Sequence, residues 1–311
     1  MTDAPSTDRG FILIVVLWIA LLLALMALTF SGSVRTLLMI TGNSAASAEA
    51  EAAADAGFAV ALLDLAGAKA IGPDAQRRFK VDGTPSACAL ENGALAVIAI
   101  RDEAGRVSLN AADEKLLTAL FVGLGAGLAE ARSYADRVID FRDADDVRRE
   151  SGAEATDYAE AGLPPPRNGR FEMASEITRV LGLPKPIAAK AVRHVTAHSG
   201  QNGIDPSVAG PALKRVLAEA AWQGASGAST RIRMGAGFDD AVPVAFVAKS
   251  QGLTYAVRAE GRSPAGAVFV REGTVELSAS PPGAYLLKEW HRGESPIEGL
   301  VLSTDAPLPP C

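Results

Sequence analysis

Arg9-Gly10-Phe11-Ile12-Leu13-Ile14-Val15-Val16-Leu17-Trp18 opens an uncharged, apolar run that continues to Phe30. At a rise of about 1.5 Å per residue, residues 11–30 make a helix roughly 30 Å long, the thickness of a bilayer hydrocarbon core. The run can span a membrane. A short polar leader, residues 1–10, precedes it, and Ser31-Gly32-Ser33 leads straight into more helix-compatible sequence. A secretory signal has a shorter apolar core and a small-x-small exit, so the segment reads as retained. Outward from it, the chain is alanine-rich to Ala70 with no proline before Pro73, which predicts one long helix over residues 11–70. Gly32, Gly42, Gly57 and Gly67 weaken it locally and mark Gly42-Asn43 as a place to kink. Phe58, Leu62, Leu63 and Leu65 supply an apolar stripe, and Glu49, Glu51, Asp55 and Asp64 a polar face. That half of the helix is expected to pack on a sheet.

The sheet follows in two groups of strands. Segments 78–81, 87–90 and 94–101 are short and apolar or alternating, separated by the hairpin signals Asp82-Gly83 and Glu91-Asn92-Gly93. Segments 231–234, 242–249, 253–260, 267–271, 274–277 and 285–290 form the second group, with helical sequence between. Neither group alone covers its edges, so an insertion explains the order better than two tandem domains. The predicted class is α+β: a leader over 1–10, a long helix over 11–70, an antiparallel sheet from 71–108 and 226–311, and an all-helical insertion over 109–225.

Within the insertion, Asn110 reads as an N-cap with Asp113 at the third helical position. Leu116, Leu117 and Leu120 then share a helical face, Gly123-Leu124-Gly125 makes a tight turn, and residues 128–141 form a second helix. The pattern returns as 176–181, Gly182-Leu183-Pro184 and 187–196. Both units resemble helix-hairpin-helix modules, whose glycines turn the backbone between antiparallel helices. Such pairs often hold DNA phosphates, which makes an anchored DNA-binding protein of the DNA-uptake kind the rival reading. Charge opposes it. Residues 110–200 carry 12 Lys and Arg against 14 Asp and Glu, and residues 121–127 have no cation, whereas phosphate binding requires cations near the backbone.

The net charge of −6 and pI near 5.3 likewise give no electrostatic case for a nucleic-acid or anionic-membrane binder. Cys88 and Cys311, the two cysteines, leave a disulfide and two free thiols both open. His194 and His198 are spaced to share a helix face but lack the glutamate of a zinc protease, and His291 lies in the final strand region. No Gly-x-Ser-x-Gly elbow accompanies a plausible base, so an enzyme reading has no support.

A polar leader ending in glycine, then Phe11 and an apolar helix, resembles the type IV pilin and pseudopilin signal. The resemblance implies cleavage by a prepilin peptidase between Gly10 and Phe11 and methylation of the new amino terminus. Most members of that superfamily carry a glutamate at the position of Val15. A carboxylate in an apolar helix needs a partner, expected to be the terminal ammonium of the subunit assembled before it. A first subunit has no predecessor, so Val15 suits a filament tip.

Leu109-Asn110-Ala111-Ala112, then Asp140-Phe141-Arg142-Asp143-Ala144-Asp145-Asp146, then Gly169-Arg170-Phe171 with Ser175-Glu176 and a closing sheet follow in one order. With the Gly10/Phe11 signal and Val15, that order resembles the general secretion pathway protein K family, the large minor pseudopilins of bacterial type II secretion. The resemblance implies a non-enzymatic subunit at the tip of a periplasmic pseudopilus, anchored by one helix in a Gram-negative inner membrane. It also implies as partners the minor pseudopilins I and J, the major pseudopilin, the prepilin peptidase and the inner-membrane assembly platform, without nucleic acid. Asp143, Asp145 and Asp146 offer hard oxygen ligands, and Glu154 takes the twelfth place from Asp143, where an EF-hand loop has its bidentate glutamate. Val147 then occupies a ligand position and Arg148 replaces the turn glycine. The resemblance implies structural calcium in the insertion; the alternative is a solvated acidic loop neutralised by Arg142, Arg148 and Arg149.

Overall fold

Residues 8–72, 76–222, 242–277, 285–294, 296–297 and 308–311 are described by a computed structural model. Asp8–Ile71 form α1, a single helix of 64 residues, about 96 Å long at the standard rise. Its window Phe11–Leu28 has a mean hydropathy of 3.2 and no buried share, long and apolar enough to cross a membrane. The helix is continuous through Gly42-Asn43. One glycine costs a helix about 1 kcal/mol without breaking it, and here the Thr41 hydroxyl donates back to the carbonyls of Leu37 and Leu38.

The second half of α1 lies on a five-stranded antiparallel sheet built from β1 (Ser86–Ala89), β2 (Leu95–Asp102), β5 (Thr254–Arg262), β6 (Val268–Leu277) and β7 (Tyr285–Arg292). The spatial order is β1-β2-β5-β6-β7. Phe58, Ala61 and Leu65 enter a core with Ile98, Ile100, Tyr255, Val257 and Val275, and Leu62 packs at its margin. Leu63, expected in the same stripe, is 74% exposed: five residues beyond Phe58, it falls on the opposite side of a helix of 3.6 residues per turn. Arg271 fastens one flank. Its guanidinium donates to Asp55 and Glu51 at 2.7 Å and lies 4.8 Å from the ring centroids of Phe269 and Trp290.

Close approach of backbones sets the angle of that docking. A Cβ on Gly261 of β5 would stand 2.0 Å from the Ala50 carbonyl oxygen and 2.4 Å from the Ala54 nitrogen. Lower on the helix, a Cβ on Gly273 would stand 2.9 Å from the Phe58 ring. Gly273 explains why β6 is continuous where the sequence suggested strands 267–271 and 274–277: the glycine makes room for an aromatic ring rather than turning the chain.

Two other expected strands are absent. Residues 78–81 are a bend held by the Asp64 carboxylate, which accepts from the Arg78 and Phe79 amides. Within 242–249, Val244–Phe246 form a 3-10 turn after Pro243, and Val247 makes a lone bridge to Ile204. The segment 231–234 lies outside the described residues.

β2 pairs directly with β5, from Leu95↔Arg262 to Asp102↔Tyr255, although a long segment separates them in sequence. That segment contains β3 (Val107–Ser108), α2 (Glu114–Gly123), α3 (Leu128–Arg142), α4 (Ala155–Glu160), α5 (Lys185–Val192), β4 (Val195–Thr196) and α6 (Pro211–Trp222). β3 and β4 pair in parallel. Its core is separate and includes Leu116, Leu120, Phe121, Phe141, Tyr158 and Phe171, together with Val242 and Phe246. Val242 and Phe246 thus pack with this segment although they lie beyond residue 225. Asp113, rather than Asn110, caps α2, accepting from the Leu116 amide at 2.8 Å. Asn110 instead bonds the backbone of Phe171 and Ala197, tying the start of the segment to two later stretches of it.

The insertion leaves the sheet at Asp102 and returns at Thr254. These strand ends lie at the far end of α1: Lys69 Nζ donates to the Leu277 carbonyl at 2.9 Å, and Leu277 N to that of Leu253 at 2.7 Å. Gly261, at the other end of β5, lies against Ala50 and Ala54. The helical mass is thus attached at the end of the sheet remote from the apolar segment.

Gly261→Ala is expected to destabilise the protein by about 3 kcal/mol, since backbone on both sides prevents relaxation. Gly67→Ala, where an added Cβ meets nothing within 4 Å, is expected to stabilise by about 0.5–1 kcal/mol. Thermal unfolding of both variants in detergent checks the contrast.

A carboxylate site without bound arginine

α3 ends at Arg142, and the Asp143 amide bonds the Ile139 carbonyl as the C-cap. The loop that follows is shaped by acceptors on α3 itself: Asp140 Oδ2 accepts from the Arg149 amide and Asp136 Oδ2 from that of Ser151, each at 3.2 Å. Asp145 Oδ1 accepts from the Val147 amide at 2.9 Å. Glu154 opens α4, its amide held by Asp157 at 2.9 Å. The loop so folded brings one oxygen each of Asp143, Asp145 and Glu154 within 4.8 Å of one another. Val147, which interrupts the EF-hand pattern, is 74% exposed and outside the cluster.

Asp146 is not in that trio. Its Oδ1 accepts from Asn168 Nδ2 at 2.8 Å, and the same amide nitrogen reaches the Asp145 carbonyl. Two groups that the sequence did not single out belong to the site. Asp140, noted there only as part of a motif, is fully buried. Asn168, in the left-handed region at φ 45°, turns its amide into the loop.

Charge balance at this site is unusual. Burial, then the carboxylates of Asp140, Asp143, Asp146 and Asp145, push Glu154 up to about 7. Burial also raises Asp140 and Asp143. Glu154 is 4% exposed, yet both its carboxylate oxygens are buried with no hydrogen-bond partner, as are Asp140 Oδ1, Asp143 Oδ1 and Asn168 Oδ1. The guanidinium groups of the three arginines near the loop donate elsewhere. Arg142 donates to the carbonyls of Leu109 and Ala112, Arg148 to Asp157, and Arg149 to Asp136 and Glu114. Unpaired buried carboxylates are costly, and oxygen donors of this kind suit a hard divalent cation. The donor set fits such an ion.

The histidines do not converge. α5 stops at Val192, so His194 and His198 do not share a helix face; His198 bonds Glu289 at 2.7 Å, and His291 lies 3.5 Å from Glu272. Cys88 and Cys311 are joined in a disulfide.

The first hairpin turns at Gly125, φ +102°, where an L side chain would be strained. The amides of Leu124, Gly125 and Ala126 bond the carbonyls of Leu120, Val122 and Phe121, so these donors are spent on closing α2. At the second hairpin, Arg137 donates to the Leu181 carbonyl at 2.9 Å. The first turn therefore presents no set of free amides to a phosphate.

Residues 94–200 match the family described as type II secretion system (T2SS), protein K. Among solved structures, the chain resembles a chain of the crystal structure of the GspK-GspI-GspJ complex from the enterotoxigenic Escherichia coli type 2 secretion system. The TM-score is 0.56 at 18% identity, over 85% of this chain and 100% of that one. No curated protein matches. The family match runs from β2 through the insertion to residue 200, under half of the chain, and the solved structure shares the fold.

With divalent cations chelated, Glu154 binds its proton more tightly folded than unfolded. Its contribution is therefore present below pH ~4.5 and is lost as pH rises through about 7. Melting temperature is expected to fall across that window, and Glu154→Gln to flatten the fall.

Proposed function

We propose that this protein is a minor pseudopilin and that it terminates a periplasmic pseudopilus. The observation that carries the reading is where the insertion is attached. Pseudopilin subunits add through their apolar helical segments, and here a body with its own core occupies the end of the sheet farthest from that segment. A subunit stacked beyond it would meet this mass rather than a helix groove. Val15 supports the same position: it offers no carboxylate to a predecessor's amino terminus. The subunit acts by assembly, not by catalysis.

In this reading the leader is removed between Gly10 and Phe11 by the prepilin peptidase and Phe11 is methylated. The anchored subunit waits in the inner membrane with its bulk in the periplasm. It then joins minor pseudopilins I and J, the companions named in the solved complex, on the assembly platform, and the major pseudopilin extends the filament beneath it. Asp143, Asp145 and Glu154 hold a calcium ion, with Asp140 and Asn168 beside them. The ion would neutralise the carboxylates and pin the loop between α3 and α4, stiffening the cap without taking part in any reaction.

Intact-mass analysis of the protein from membranes with and without the prepilin peptidase tests the reading. Peptidase-dependent loss of residues 1–10 with one added methyl group is expected; an amino terminus unchanged in both strains would favour an anchored binding protein instead. For the ion, calcium at about 100 times its dissociation constant should stabilise the protein by about 2.7 kcal/mol. Glu154→Gln should remove most of that gain, and an equal gain in the variant would sink the assignment.

A further inference from the structure

Residues 308–311 lie alongside β1. Ala89 N donates to the Pro309 carbonyl and Cys311 N to that of Ala89, both at 2.9 Å, so Pro310 pairs with Ala89 as a parallel bridge. Arg78 holds the same stretch, its guanidinium donating to the carbonyls of Pro310 and of Cys311, the latter at 2.7 Å. Arg78 is itself fixed: its amide donates to Asp64 of α1 at 2.8 Å, and its guanidinium lies 5.2 Å from the ring centroid of Phe79. None of these bonds involves sulfur. The fold alone therefore seats Cys311 beside Cys88, with their Cα atoms 4.9 Å apart.

The two cysteines differ in what can reach them. Cys88 is 0% exposed and belongs to the core that Phe58, Leu65 and Phe79 share beneath α1. Cys311 is partly buried and packs against the margin of that core. Thiol–disulfide exchange runs through a mixed disulfide, and its rate depends on access to the sulfur that reacts first. An external molecule meets Cys311 before Cys88.

We propose that Cys311 is the residue through which this disulfide is made: it engages an external disulfide first, and Cys88 resolves the intermediate. In the first step the Cys311 thiolate attacks one sulfur of the external disulfide, a mixed disulfide forms on Cys311, and one external thiolate leaves. In the second the Cys88 thiolate attacks the Cys311 sulfur, the Cys88–Cys311 bond forms, and the second external thiolate leaves. The protons of the two cysteines pass to the two released thiolates. Two cysteines are thereby oxidised as one external disulfide is reduced to two thiols. Residues 308–311 dock before oxidation, held by Arg78 and Ala89, so the second step takes place inside the protein and needs no further access from outside.

The test uses the full chain in detergent micelles, reduced with dithiothreitol and then freed of it. A brief exposure to limiting iodoacetamide, read by peptide mass, is expected to label Cys311 about a hundredfold more than Cys88, since a buried thiol reacts only through local opening. In concentrated urea the two labels are expected to become equal. In the reduced, folded protein the Ala89 and Cys311 amides are expected to stay slow to exchange with deuterium. With oxidised glutathione, Cys88→Ser is expected to accumulate the mixed disulfide on Cys311, and Cys311→Ser to form one on Cys88 about a hundredfold more slowly. Oxidised thioredoxin in a parallel arm separates the two kinds of donor: faster capture by glutathione assigns a small disulfide, faster capture by thioredoxin a protein one, each at Cys311. Equal labelling of the two cysteines in the folded protein, free exchange of those amides after reduction, or a mixed disulfide on Cys88 as fast as on Cys311 would overturn the proposal.

Discussion

Ala50, Ala54 and Gly261 bring the backbone of a helix against the backbone of a strand, and the rest of the molecule is arranged around that contact. The helix carries the apolar segment, so the angle at which it meets β5 fixes how the sheet stands relative to that segment. Small residues allow the approach at the upper end, and larger ones, Phe58 and Leu65, fill the space that opens lower down. Arg271 then closes the flank with two carboxylates of the helix and two aromatic rings of the sheet. Hydrophobic burial supplies the driving force and the missing side chains supply the geometry.

The insertion has a different balance. Its core is as apolar as that of the sheet, but the loop between α3 and α4 gathers carboxylates around Asp140 while the nearby arginines hold backbone carbonyls or other acids. The arginines act as structural ties, and their guanidinium groups donate to these partners rather than to Asp143, Asp145 or Glu154. Buried oxygens of Glu154, Asp140 and Asp143 consequently have no hydrogen-bond partner, and oxygen donors of this kind suit a hard divalent cation.

Much of this was legible in the sequence because local signals agreed with tertiary packing. The uncharged run after Gly10, the alanine-rich continuation and the turn signals before β2 each specify one local structure. The readings that failed did so where a residue serves a distant contact. Gly273 looked like a break between strands, yet it accommodates Phe58, more than 200 positions away in the chain. Asn110 looked like a cap because asparagine caps helices; it is used to bind Phe171 and Ala197, and Asp113 takes the cap. Pro243 and Phe246 sit in an apolar run that reads as a strand, but the proline starts a 3-10 turn and the phenylalanine enters the insertion core. At the acidic site the spacing of Asp143, Asp145 and Glu154 was visible, whereas Asn168 was not, since nothing local links it to a loop 22 positions earlier.

The disulfide joins positions separated by 223 residues, and the whole insertion lies inside the covalent ring it closes. A protease that cuts any loop of the insertion therefore produces two chains that stay attached through Cys88 and Cys311. The nicked protein would migrate as one species until reduced, and the sheet would keep both of its halves while the inserted body loosened. In an oxidising compartment exposed to proteases, the linkage makes damage to the outermost part of the molecule separable from loss of the molecule itself.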